Sequence, residues 1–161
     1  MIIDSQSVKN SATSTTHIGF DGGKLIKGRK RFVVADTLGN VLASKVTAAN
    51  AHDGQTAIQF WDDLLAHNVL LQEVKIIYID GGFRGEFVDH MANKYGIRVE
   101  VPTQIVRQRK GFCIHAKRWI VERTLAWVTN NRRLARCYER KIASENAFIL
   151  LSNSRRIVKK I

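Results

Sequence analysis

Proline occurs once in these 161 residues, at Pro102, and cysteine twice, at Cys113 and Cys137. Two cysteines cannot build a disulfide scaffold, and without C-x-x-C spacing they do not suggest a zinc ribbon; they read as plain thiols in a reducing compartment. No stretch approaches the roughly 18 consecutive apolar residues of a membrane span. The start, M-I-I-D-S-Q-S-V-K, has no basic segment ahead of a long apolar one, so no leader peptide is expected. The G-x-x-x-x-G-K-[ST] phosphate loop and the G-x-S-x-G nucleophile elbow are both missing. Acids are also scarce: 14 Asp+Glu face 26 Lys+Arg, for a net charge of +12. Such an excess implies a polyanionic partner, with nucleic acid the default and an acidic membrane surface second. The hydrophobic share of 45% is that of an ordinary globular protein, and the length suits one domain over 1–161 with a real core.

The most informative stretch is V-K-I-I-Y-I-D-G-G-F-R-G-E-F at 74–87. Its unbroken apolar run suits a strand covered on both faces. The run stops at Asp80, where open α/β sheets keep their sites, and two glycines follow that let the backbone turn sharply. Asp80 reads equally well as the cap of a helix beginning near Arg84. Asp4, after the apolar Met1–Ile3, repeats the pattern.

The remaining elements follow from periodicity and punctuation. Residues 19–31 read as a basic, glycine-rich loop carrying Lys24, Lys27, Arg29, Lys30 and Arg31. A hairpin is expected from strands 31–35 and 41–47, with Asp36 in its turn. Asp53 caps a helix over 55–68, and strand 74–79 follows. A helix over 86–95 ends at Gly96, and strand 97–101 stops at Pro102. A second basic loop spans 106–111. A long helix is expected over 115–138, then one capped by Ser144 with Ala147, Phe148, Leu151, Ile157 and Val158 on its apolar side. The order β, ββ, α, β, α, β, α, α predicts a single α/β domain with a mixed sheet flanked by helices.

On the long helix, His115, Arg118, Glu122, Thr129, Arg133 and Arg136 fall within about 40° of one another. Trp119, Ile120, Val121, Leu125, Trp127 and Val128 would pack on the sheet. Helix geometry alone favours Glu122 as an i,i+4 partner of Arg118. Three carboxylates converging from two strand ends and a helix would instead form an oxygen-ligand site for Mg²⁺ or Mn²⁺. Two such ions about 4 Å apart serve in-line phosphoryl displacement.

I-D-S-Q-S-V-K at 3–9, D-G-G-K-x-x-K-G-R-K-R at 21–31, A-N-A-H-D at 49–53, D-G-G-F-R-G at 80–85 and W-I-V-E-R-T-L-A-W at 119–127 occur in order. As a set they resemble the DDE transposases of bacterial insertion sequences, over essentially the whole chain. The resemblance implies an RNase H-like fold, two Mg²⁺ or Mn²⁺ ions, and DNA cleavage and strand transfer. It places the catalytic, metal-holding acids on Asp4, Asp80 and Glu122. DNA contacts are expected from the first basic run and from Arg84, Arg118, Arg123, Arg132 and Arg133. The partners implied are transposon-end and target DNA, a homo-oligomer on DNA and an upstream-frame DNA-binding protein, in the cytoplasm at the nucleoid. Family members carry a region ahead of the first Asp motif, whereas Met1 stands three residues before Asp4. The N-terminal DNA-binding region is therefore expected to be absent and the first strand a truncated M-I-I stub. An RNase H-like nuclease without joining activity and a non-catalytic DNA-binding remnant are the competing readings.

Overall fold

Small, alternating side chains let one strand run through the middle of a sheet. The segment I-I-D-S-Q-S-V-K forms β1 (Ile2–Lys9), with Ser5 and Ser7 buried without bulk. The computed structural model describes residues 1–67, 71, 73–101 and 118–159, the side chain of Arg118 excepted. β3 (Ile26–Ala35) pairs antiparallel with the whole of β1, from Ile2↔Ala35 to Lys9↔Gly28. A Cβ on Gly28 would stand 1.9 Å from the Val8 carbonyl oxygen, so only glycine permits that pairing. β2 (Gly19–Asp21) and β4 (Val41–Ala48) both pair with β3. On the other side, β5 (Ile76–Tyr78) runs parallel to β1 and β6 (Arg98–Glu100) parallel to β5. The described sheet has the order β2-β3-β1-β5-β6, with β4 also on β3.

Helices cover both faces. Ile3, Phe32, Val34, Ile77 and Ile79 point to one side, against Phe60 and Trp61 of α1 (Asp53–His67) and Phe87 and Met91 of α2 (Glu86–Tyr95). Ile2, Val33, Ala35 and Val46 point to the other, against Val121, Leu125 and Val128 of α3 (Arg118–Thr129) and Ile149 of α4 (Ile142–Val158). Each such side chain contributes roughly 1.5–3 kcal/mol by leaving water. This is the mixed sheet flanked by helices that the sequence predicts, and α2 ends as expected at Gly96, in a left-handed conformation with φ +64. Among the described residues no helix is long and apolar enough to cross a membrane.

Four expectations are corrected. The first strand is no stub: it continues beyond Asp4 through S-Q-S-V-K, because β3 supplies a pairing partner along all of it. Most of the expected basic loop at 19–31 is strand, in β2 and β3. The long helix stops at Thr129, where the Asn131 side chain donates to the carbonyls of Trp127 and Val128 and a short 3₁₀ turn (Arg132–Leu134) follows. Arg133 and Arg136 thus leave the helical face of Glu122. The last helix begins at Ile142 and buries Glu145, Ile149 and Asn153, leaving Leu151 and Val158 exposed. Polar partners choose that face: Asn153 bonds both backbone groups of Val41, and Asn146 accepts from Ser44. The expected basic loop at 106–111, Pro102, Cys113 and His115 lie outside the described residues.

Period 2 sends the cations of β3 to opposite faces. Arg29 and Arg31, fully buried, reach one carboxylate on α4, with Arg29 Nη1 2.8 Å from Glu145 Oε2 and Arg31 Nε 2.7 Å from Oε1. Their other donors take the carbonyls of Thr16, Glu139, Arg140 and Leu134. Cys137 lies beside the same carboxylate, and burial first, then Glu145, pushes its thiol up to about 11. On the other face, Asp62 of α1 accepts from His90, Lys94 and Tyr95 of α2 and its end. Burial pushes the Asp62 carboxyl upward, but the three hydrogen bonds outweigh it and bring it down to about 2.

Glu145→Gln should cost about 3–5 kcal/mol in urea unfolding, because it leaves two buried guanidiniums without a counter-charge. Asp62 gives a pH-dependent expectation. Its folded value of about 2 lies below the ordinary 3.8, so its contribution is present above pH ~4 and lost as pH falls toward 2. Asp62→Asn should therefore lower stability by about 1–2 kcal/mol at neutral pH, discounted for partial exposure, and by almost nothing near pH 2. Melting curves across pH 2–7 check both halves.

Candidate active site and basic surface

Two parallel strands set the geometry of the site. Ile2 pairs with Tyr78, and the Tyr78 amide donates to the Met1 carbonyl at 2.8 Å. Two residues further along each chain stand Asp4 and Asp80, at the end of this pairing. Period 2 puts both side chains on the face of Ile2 and Tyr78, under α3. Together with Ile2, Ile3, Tyr78, Ile79 and Val121 they line one small cleft. The Asp4 Oδ1 accepts from the Ser5 amide at 2.7 Å, and the Asp80 Oδ1 from the Gly81 amide at 2.6 Å. Asp80 is thus the N-cap of the 3₁₀ turn Gly81–Phe83 and a wall of the cleft at once. Capping uses one oxygen and does not take the carboxylate out of the cleft.

Glu122 follows Val121, the residue through which α3 closes the cleft, and is exposed. It is turned about 100° from Val121 around the helix. Among the described residues no group of three or more His, Cys, Asp or Glu side chains is assembled to hold a metal ion. The structure therefore brings Asp4 and Asp80 together and leaves Glu122 one residue beyond their cleft. The pair's donor set is hard oxygen, which suits Mg²⁺ or Mn²⁺ and not a thiolate-seeking metal. Asp36 sits in the β3–β4 turn as expected, accepting from the amides of Leu38 and Asn40.

Behind the pair lies a polar clamp that the sequence reading missed. The Ser5 hydroxyl donates to Asp53 Oδ1 at 3.1 Å, and Lys30 Nζ donates to the same oxygen at 2.9 Å and to the Ala51 carbonyl at 2.8 Å. A Cβ on Gly82 would lie 3.3 Å from Asp53 Oδ2. One carboxylate thus holds the residue after Asp4 from the far face of the sheet and packs closely against the turn after Asp80. The available signal was the alternation R-K-R at 29–31, which sends Lys30 to the face opposite its neighbours. Reading these residues as a loop concealed it.

Arg29, Lys30 and Arg31 are accordingly corrected as DNA contacts: all three are buried, and each is bonded to a carboxylate inside the protein. Lys24, Lys27, Arg84 and Arg132 are exposed. Arg133 is also exposed, paired to Glu139 at 2.6 Å, which raises its pKa. The Arg123 guanidinium lies 4.1 Å from the Trp119 ring and 4.5 Å from that of Trp127. Trp119, expected to pack on the sheet, is 40% exposed and makes this stack instead. The Arg118 side chain lies outside what is described.

Residues 1–153 match the model of a family described as the transposase DDE domain. The chain is also 30% identical, over 128 residues, to a Burkholderia cepacia protein assigned as a transposase for insertion sequence element IS402. That match covers 77% of this chain and 60% of the relative, so it spans less than two thirds of that protein's length.

Lys30→Met should lower the melting temperature and cost about 2–4 kcal/mol, because the Asp53 carboxylate loses its counter-charge. Lys27→Met, on the exposed neighbour, should change stability by less than about 0.5 kcal/mol. Equal melting of the two variants would remove the clamp from the account.

Proposed function

The chain belongs to the transposase DDE domain family, and on that premise we propose that it is the catalytic portion of an insertion-sequence transposase, cutting DNA strands and joining the cut ends to a target. The observation that carries this reading is the placement of Asp4 and Asp80 on parallel neighbours, facing one cleft under α3. Asp4, Asp80 and Glu122 are the residues to hold Mg²⁺ or Mn²⁺, two ions by preference, with Glu122 joining the pair from the helix. The ions, when bound, supply Lewis acidity to a phosphodiester and an activated hydroxyl.

The chain's own residues do the rest. Ser5 and Gly81 each bind one oxygen of a carboxylate and so fix its direction. The Lys30–Asp53–Ser5 clamp ties the Asp4-bearing strand to β3 and to the start of α1. Lys24, Lys27, Arg84, Arg118, Arg123, Arg132 and Arg133 attract the phosphate backbone, without sequence preference. The partners proposed are transposon-end and target DNA, further copies of the chain on that DNA, and a separate DNA-binding protein from an upstream reading frame. The site of action is the nucleoid, in the cytoplasm.

Asp80→Asn tests the central claim. An amide of the same size still packs and still caps the 3₁₀ turn, but it does not supply the charge that holds a hard dication. Strand nicking in Mg²⁺ should fall by at least about 10²-fold, the scale of losing a principal electrostatic group. Melting temperature and DNA affinity should hold. Wild-type nicking matched by the variant would reduce Asp80 to a cap. A strand-transfer assay with precut ends then separates a transposase from a nuclease that cuts without joining.

A further inference from the structure

The hairpin that opens the basic run belongs to neither the core nor the cleft. β2 and the start of β3 are joined by a tight turn over residues 22–25. Phe20 is 55% exposed and Leu25 75%, and neither joins a hydrophobic cluster. Leu25 has φ +53, a left-handed conformation uncommon for a bulky residue, at the last position of the turn. Phe20 pairs with Lys27 across the two strands, so both side chains lie on one face, beside the turn that ends at Leu25.

The only acid of the tip is turned inward. Asp21 Oδ2 accepts from the Ser7 hydroxyl at 2.5 Å, and Oδ1 accepts from the amides of Gly23 and Lys24 at 3.1 Å each. What the tip shows to solvent is therefore two large apolar groups and two ammonium groups, Lys24 and Lys27. Register also fixes where the tip stands. Gly28 pairs with Lys9, five residues along β1 from Asp4, and Leu25 is three residues further out. The tip is thus roughly 25 Å beyond Asp4, past the end of the sheet at which β5 gives way to Asp80.

We propose that this hairpin is a wedge for duplex DNA: Phe20 and Leu25 enter a base step while Lys24 and Lys27 neutralise the flanking phosphates, bending the duplex toward the carboxylate cleft. The proposal rests on the reading of the chain as one that acts on DNA. Apolar side chains inserted at a step unstack it and kink the helix, and a step already weakened yields most easily. At 3.4 Å per base pair, the wedged step lies about seven pairs from the phosphodiester at the cleft. A second copy of the chain is the competing occupant for the apolar tip. Lys24 and Lys27 argue against it, because a self-contact would set like charges against one another, whereas they complement phosphate.

The test measures affinity of the full chain for an intact duplex of about 20–30 base pairs and for the same duplex with a central mismatch. Wild type should bind the mismatched duplex about tenfold tighter, since part of the unstacking is already done. The Phe20→Ser/Leu25→Ser double variant should lose that preference, to within about twofold, with melting temperature unchanged; Phe20→Leu should keep it. Lys24→Gln/Lys27→Gln should weaken both duplexes alike and leave the preference intact. Equal wild-type affinities, or a preference that survives the double variant, overturn the wedge while leaving the DNA-acting reading standing. A wild-type dimer dissolved by the double variant assigns the tip to self-association and overturns it as well. Failure to bind either duplex overturns both the wedge and the reading beneath it.

Discussion

Glu145, buried between Arg29 and Arg31, is the contact on which most of the architecture turns. Two guanidiniums in the interior require a counter-charge and a full set of acceptors, because an unpaired buried charge costs several kcal/mol. Glu145 supplies the charge from α4, and the carbonyls of Thr16, Leu134, Glu139 and Arg140 supply acceptors from the segments around it. Satisfying β3 therefore draws the loop before β2, the segment after α3 and the last helix onto one face. The packing of Ile149 and Val46 then follows from a position that electrostatics has already chosen.

That face is also the face of Asp4 and Asp80. With α4 held against β3 and β4, α3 lies across β1 with Val121 over the cleft. The opposite face is fixed by different chemistry: Lys30 and Ser5 share Asp53, and His90, Lys94 and Tyr95 share Asp62. In each case a single carboxylate at or within α1 collects donors from separate elements. The Asp4-bearing strand is thereby braced from behind, while Asp4 and Asp80 line the cleft on the opposite face. Glu122 differs in kind. It rides α3, a helix whose register is set by its apolar side, whereas Asp4 and Asp80 are carried by the sheet.

Much of this was legible in the residues themselves, and what was not has a physical cause. The apolar run ending at Asp80, the helix closed by Gly96 and the Asp36 turn are local patterns, and they appear where local chemistry puts them. The pairing of β1 with β3 is not local. Nothing within I-I-D-S-Q-S-V-K announces a strand continuing past Asp4, because its half-polar pattern becomes stable only when Phe32 and Val33 arrive beside it. The R-K-R run misled for the same reason: its arginines read as solvent-facing until a carboxylate more than 100 residues later meets them, and its lysine until Asp53 does. The face of α4 was misread because its apolar residues outnumber its inward polar ones, while Glu145 and Asn153 have the stronger claim on the interior.

The burial of three cations leaves the electrostatic argument almost intact but moves it. Arg29, Lys30 and Arg31 take Glu145 and Asp53 as partners, so the charge outside these networks falls by only one from the +12 of the whole chain. A polyanion still meets a strongly positive surface, and long-range attraction depends on that sum rather than on any one side chain. What changes is the footprint. The densest basic run no longer forms a patch; it contributes Lys24 and Lys27 at a projecting tip, while Arg84 and Arg132 lie elsewhere on the surface. Separated cations track a backbone along its length, as a duplex crossing the molecule requires, whereas a compact patch would grip one or two phosphates. Burying the middle of the run thus turns a local excess of charge into a distributed one.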